Sequence, residues 1–165
     1  MRRPWTLLAG RFTFEGRGAR RLAVQEARMI SRLAAGLTRH PAMAGAGLSL
    51  LSLPIHLVLP EAVSIPFAAV ILGLVAGIYA GFALQDGRAN ILAIEGLAAV
   101  AFLALALAGL AWSPWFIPAA YALHGVWDLL HHRQITTAMP SWYPPMCAVY
   151  DWVFAAGLSA LWILR

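Results

Sequence analysis

The sequence predicts an all-α fold: a polytopic membrane helical bundle of about five transmembrane helices, with an N-terminal amphipathic helix at the membrane interface. Three observations carry this. The 165-residue chain is 61% hydrophobic and 12% charged, with a mean hydropathy of +0.73, and its apolar runs are too long for a soluble core of this size. Nine of its twelve basic residues, all arginine, precede the first long apolar run. The links between most later runs are short, so consecutive runs read as antiparallel neighbours. The chain thus divides into a basic cytoplasmic arm, residues 1–42, and a transmembrane domain, residues 43–165.

Within the arm, residues 1 to about 17 carry Pro4, Gly10, Gly16 and mixed charges, and they read as a mobile tail. The opening "MRRPWTLLAGRF" starts basic, but its apolar part is too short for the core of a cleaved signal peptide. A helix is expected over "GARRLAVQEARMISRLAAGLTRH". There Leu22, Met29, Ile30, Leu33 and Leu37 recur at helical spacing, while Arg20, Arg21, Arg28, Arg32 and Arg39 fall mostly elsewhere. That pattern suits a helix lying on the membrane surface with its arginines against anionic lipid headgroups. Nucleic acid is not the expected partner, because the aromatic interleaving and folded scaffold of a nucleic-acid module are missing.

The five spans are expected at about 43–59, 62–84, 91–111, 115–132 and 145–164. Arginine is retained on the cytoplasmic side, so a cytoplasmic N-terminus puts Arg88 and Arg133 inside and leaves only Arg165 outside. The bacterial inner membrane is the expected location. Trp112 and Trp115 at one face, and Trp142 and Tyr143 at the other, fall where interfacial aromatics belong. In the second span Gly73, Gly77 and Gly81 form a G-x-x-x-G-x-x-x-G face expected to pack closely inside the bundle, with a homodimer seam as the alternative. Cys147 is the single cysteine, so no intrachain disulfide forms.

The acidic residues bear most on function, because a charge inside a bilayer costs about 2.5–3.5 kcal/mol even on lenient scales. Glu15 and Glu26 belong to the arm, Glu61 to a turn, and Asp86 pairs with Arg88 in a loop; none of these four needs a functional explanation. Glu95, Asp128 and Asp151 lie inside spans. At 1.5 Å per helical residue, all three, together with the "HGVWDLLHH" stretch at 124–132, fall within roughly 12 Å of one membrane face.

On the fourth span His124, Asp128 and His131 or His132 share one helix face. Imidazole with carboxylate suits zinc or iron, whereas magnesium or calcium would want oxygen ligands alone. One helix offers too few ligands to close a site, so Glu95 and Asp151 complete the expected set of His124, Asp128, His131, His132, Asp151 and Glu95. A carboxylate not used as a ligand, whether Asp128, Asp151 or Glu95, serves as general base or orients a histidine. The structural alternative is a helix end where His131 and His132 meet the C-terminal dipole and Asp128 pairs with one of them. His56 reads as a packing histidine, His40 as interfacial and Cys147 as a small buried residue. Tyr79 and Tyr150 could donate to a bound group, but nothing in the sequence singles them out.

"AAYALHGVWDLLHH" followed by "PPMCAVYDWVFA" resembles a family of small bacterial multi-spanning membrane proteins of unknown function. Its members carry a His-x-x-Trp-Asp-x-x-His-His run and a later Cys-x-x-x-Asp run. His124, Trp127, Asp128, His131, His132, Cys147 and Asp151 match, Glu95 matches more loosely, and the resemblance spans about residues 62–164. It implies that the constellation belongs to the family's design, without assigning a reaction. In chemistry alone, the set is similar to the three histidines and aspartate of alkaline-ceramidase-like membrane hydrolases, and "DLLHH" looks like half a histidine box of the di-iron membrane desaturases.

The expected function is therefore a metal site near the cytoplasmic face, in a zinc-dependent hydrolase acting on a lipid or another small apolar substrate. The alternatives are an iron-dependent membrane oxidase or hydroxylase, and a proton- or metal-ion carrier using the same residues as a relay.

Overall fold

A computed structural model describes residues 8–165; the side chains of residues 8–17, 19, 20, 33, 34, 37, 132 and 133 lie outside that description. His132, expected among the ligands, is therefore placed only by its backbone. The chain divides into two compact units, the first ending at Arg39 and the second beginning at His40.

The first unit is α1, Leu8–Arg39. It begins inside the stretch expected to be a mobile tail, whose first seven residues lie outside the described part of the chain. Gly10 and Gly16 each cost a helix about 1 kcal/mol relative to alanine, but no proline stands between Pro4 and Pro41 to stop one. Arg21, Arg28, Arg32 and Arg39 recur at steps of seven and four residues and so form one stripe, with exposed Leu22, Met29 and Ile30 away from it. Pro41 ends the run. It disfavours helical geometry at His40, whose φ and ψ are −134° and 62°, and then opens the next helix at its first position.

The second unit contains α2 (Pro41–Val58), α3 (Glu61–Asp86), α4 (Ala89–Ala111), α5 (Phe116–Arg133) and α6 (Tyr143–Ile163). Helices thus form at all five expected spans. Among the described residues, α2, α3, α4 and α6 are long and apolar enough to cross a membrane, with mean hydropathies of 1.5, 2.3, 2.4 and 1.5. α5 falls short of that composition because its second half is the His- and Asp-rich stretch. It packs against α6, α4 and α3 instead, which gives its polar side chains protein rather than lipid to face.

The bundle is built around small residues. Ala68, Leu72 and Ala76 of α3 meet Phe102 and Ala106 of α4, Ile117, Ala120 and Tyr121 of α5, and Phe154, Ala155 and Leu158 of α6. Outward-facing Leu51, Val58, Leu74, Leu84 and Leu97 are largely exposed, the pattern of a surface solvated by lipid. Close helix approach occurs at Gly45 against the Met146 backbone, Gly109 against Ile117, Gly125 against Trp152 and Gly157 against Leu53. The expected Gly73, Gly77 and Gly81 seam is not used inside the bundle. A methyl group on Gly77 or Gly81 would meet nothing within 4 Å, and one on Gly73 would meet only Leu103 at 3.6 Å. The reason is periodicity: the buried face of α3 is Ala68, Leu72, Ala76, Tyr79 and Ala83, and the glycines fall outside it.

One end of the bundle gathers the α3–α4 turn and the α5–α6 loop, joined where Arg88 donates to the carbonyl of Thr136. The turn depends on Gly87, whose φ of +77° is the left-handed conformation that side chains resist. At the opposite end Arg165 donates to the carbonyls of His56 and Leu57, neutralising the C-terminus of α2.

Candidate metal centre

Four helices each turn polar side chains toward one buried region. On α5, Tyr121, His124, Asp128 and His131 follow at intervals of three and four and lie along the inward stripe. Glu95 shares the buried face of α4 with Ile91 and Phe102, and Asp151 that of α6 with Ala148 and Phe154. Glu95, His124, Asp128 and Asp151 are all 0% exposed and His131 is 8% exposed. The apolar core of α3 to α6 surrounds these groups and keeps them away from lipid.

The side chains form two groups. In the first, His124 Nδ1 lies 2.6 Å from Asp151 Oδ2 and 3.7 Å from Asp128 Oδ1. The ligand atoms of His124, Asp128 and Asp151 all fall within 4.8 Å of one another. Ligands about 2.1 Å from a common zinc ion stand about 3–4 Å apart, so the triplet fits one ion after small side-chain adjustment. Tyr79 donates its hydroxyl to Asp128 Oδ1, and Phe102 packs edge-on against the His124 ring at 4.7 Å.

In the second group, Glu95 and His131, expected among the ligands, pair with each other. His131 Nε2 stands 2.5 Å from Glu95 Oε1, and the Thr137 hydroxyl donates to the same oxygen at 2.5 Å. His131 Nδ1 lies 2.9 Å from the carbonyl of Trp127. A carbonyl can only accept, so Nδ1 carries a hydrogen, and Nε2 then meets a carboxylate. The contact is stable only with a proton between them, which makes the pair net neutral. Tyr79 bridges the groups, its ring 5.6 Å from that of His124 and 4.5 Å from that of His131.

A single proton does not balance the first group. A neutral His124 with ionised Asp128 and Asp151 carries two negative charges, and a cationic His124 still leaves one. Buried charge of that kind requires compensation. Asp128 Oδ2, Asp151 Oδ1 and His124 Nε2 have no hydrogen-bond partner among the described residues. Buried polar atoms are nearly always satisfied, so three such atoms on one triplet are consistent with a bound species that completes them.

A family model described as a family of unknown function, DUF6010, matches residues 41–164. The chain belongs to this family. The match covers α2 through α6 and so takes in both polar groups and Tyr79; it begins earlier than the resemblance read from the motifs. No curated protein and no solved structure matches the chain.

Of the residues of the DUF6010 bundle that touch these groups, sequence reasoning did not single out Tyr79 and missed Thr137. Tyr79 could have been found as the one polar side chain on the Ala68, Leu72, Ala76 and Ala83 stripe of α3. Thr137 lies in a loop and has no periodic signal. Cys147 is buried one turn before Asp151. His56, buried with its Nδ1 2.8 Å from Ser64 Oγ, packs against Phe67 and Phe154 far along the chain from the cluster. His40 is exposed at the head of α2.

Proposed function

We propose that the protein is a metal-dependent membrane enzyme in which His124, Asp128 and Asp151 hold zinc, acting as a hydrolase on a lipid or other apolar substrate that enters from the bilayer. The observation that carries the reading is charge balance. One neutral imidazole and two carboxylates, buried within 4.8 Å of one another, are neutralised by one divalent cation. Bound zinc supplies Lewis-acid polarisation of an ester or amide carbonyl. Tyr79 holds the Asp128 carboxylate in orientation. In this reading a carboxylate not used as a ligand, Glu95, would take a proton from the attacking water and return it to the leaving group. Iron bound by the same donors would serve an oxidase instead, and the metal's identity separates the two. We place the site near the cytoplasmic face of a bacterial inner membrane, with α1 lying on anionic headgroups.

A second reading rests on the 2.6 Å contact between His124 Nδ1 and Asp151 Oδ2. Protons can balance the same charges, with one on the imidazole and one on a carboxylate, as a proton relay requires. Elemental analysis of the detergent-purified protein beside its Asp128→Asn and His124→Ala variants decides between them. The metal reading expects about one zinc per chain in the native protein and less than about a tenth of that in the variants. Folded variants with undiminished metal, or a native protein that binds none after reconstitution, overturn it.

A further inference from the structure

Asp86 and Arg88, which the sequence presents as an ordinary loop pair, fasten two residues of the α5–α6 loop, Thr136 and Ala138. Arg88 binds Asp86 as a fork, Nε to Oδ1 at 2.6 Å and Nη2 to Oδ2 at 2.9 Å. Arg88 also donates to the Thr136 carbonyl, and Asp86 Oδ2 accepts the backbone N–H of Ala138 at 2.8 Å. Between these anchors Thr137 points inward, 8% exposed, and its hydroxyl reaches Glu95. The loop, residues 134–142, is the longest non-helical link among the described residues, and it lies at the end of the bundle from which Glu95 is reached.

Behind it Glu95, His124, Asp128 and Asp151 are fully buried, so an aqueous ion has no direct access to them. Helical walls open only at the cost of many backbone hydrogen bonds, whereas a loop held by side chains can detach locally. The Arg88 side chain is 49% exposed while that of Asp86 is 3% exposed, so water and salt compete for the outer partner of the clamp.

We propose that Asp86, Arg88 and Thr137 form a latch that closes the aqueous access to the buried polar site, and that a divalent cation reaches His124, Asp128 and Asp151 when the latch opens. The cation half rests on the metal reading above; the latch does not.

Cys147, 7% exposed and one turn before Asp151, is a native reporter. The full-length protein in detergent or nanodiscs is treated with a water-soluble cationic methanethiosulfonate, and the labelling rate of Cys147 is followed by mass spectrometry. Arg88→Ala is expected to label about tenfold faster than the native protein. Thr137→Val, which leaves the ion pair intact, is expected to shift the same way and serves if the arginine variant does not insert. High salt is expected to accelerate the native protein but not Arg88→Ala, a response that a merely structural loop contact would not produce. Unchanged labelling in both variants overturns the latch, as does faster labelling that appears only with a lowered Tm. Release of bound zinc to a chelator is expected to quicken in parallel. Faster labelling without any metal in the native protein overturns the cation half and leaves the latch standing.

Discussion

At the scale of single residues, Tyr79 links the two halves of the buried cluster. Its hydroxyl serves Asp128 and its ring packs against His124 and His131. Tyr79→Phe keeps the ring and removes the donor, leaving a buried carboxylate short of a partner. Outer partners of this kind tune metal affinity by about 10- to 100-fold, and a loss of that size is expected in competition with a chelator of known affinity. Unchanged affinity would mean that Asp128 needs no orienting group. The candidate site was legible at this scale wherever charge stood out against apolar surroundings: Glu95, Asp128 and Asp151 are conspicuous because lipid makes them costly. A tyrosine or a threonine carries no such penalty, so Tyr79 and Thr137 stayed hidden. The pairing of Glu95 with His131, and of Asp151 with His124, depends on ångström distances between helices that no spacing along the chain encodes.

At the scale of elements, the helices were legible because their hydropathy and proline positions are local properties. Pro41 starts α2, Pro60 precedes α3, and Pro144 and Pro145 stand in the first turn of α6. Which glycines matter was not legible, since a G-x-x-x-G face is defined by what packs on it. A Cβ on Gly45 would collide with the Met146 backbone carbonyl, which cannot rotate away, whereas one on Gly77 meets nothing within 4 Å. Gly45→Ala is therefore expected to destabilise the bundle by about 1–3 kcal/mol through overpacking of α2 against α6, while Gly77→Ala is expected to be neutral. Unfolding of both variants in mixed micelles checks the contrast. Loss of stability in Gly77→Ala alone would show that the glycine face binds another chain.

At the scale of the whole molecule, the antiparallel order of α3 to α6 places both polar groups and the latch at one end, while Trp112 and Ser113 mark the other. On the proposed orientation, with arginine retained inside, the polar end faces the cytoplasm. In a Cys147→Ala background, Gln134→Cys is expected to react with an impermeant thiol reagent only from the cytoplasmic side, and Ser113→Cys only from the opposite side. The reverse pattern would invert the orientation and move the proposed site to the other face.

By itself the sequence determined that this is a helical membrane-type chain, where its five apolar spans lie, and which charged groups lie inside them. These properties follow from hydropathy, helix period and proline geometry, each acting over a few turns of chain. The tertiary structure alone decided that His124, Asp128 and Asp151 form one group while Glu95 and His131 form another. It also decided that Tyr79 stands between them and that Asp86 and Arg88 hold Thr137 over them. The physical reason is that helix rotation and interhelical distance are set by packing around Gly45, Gly109, Gly125 and Gly157, and a rotation of one residue would exchange a buried partner for lipid.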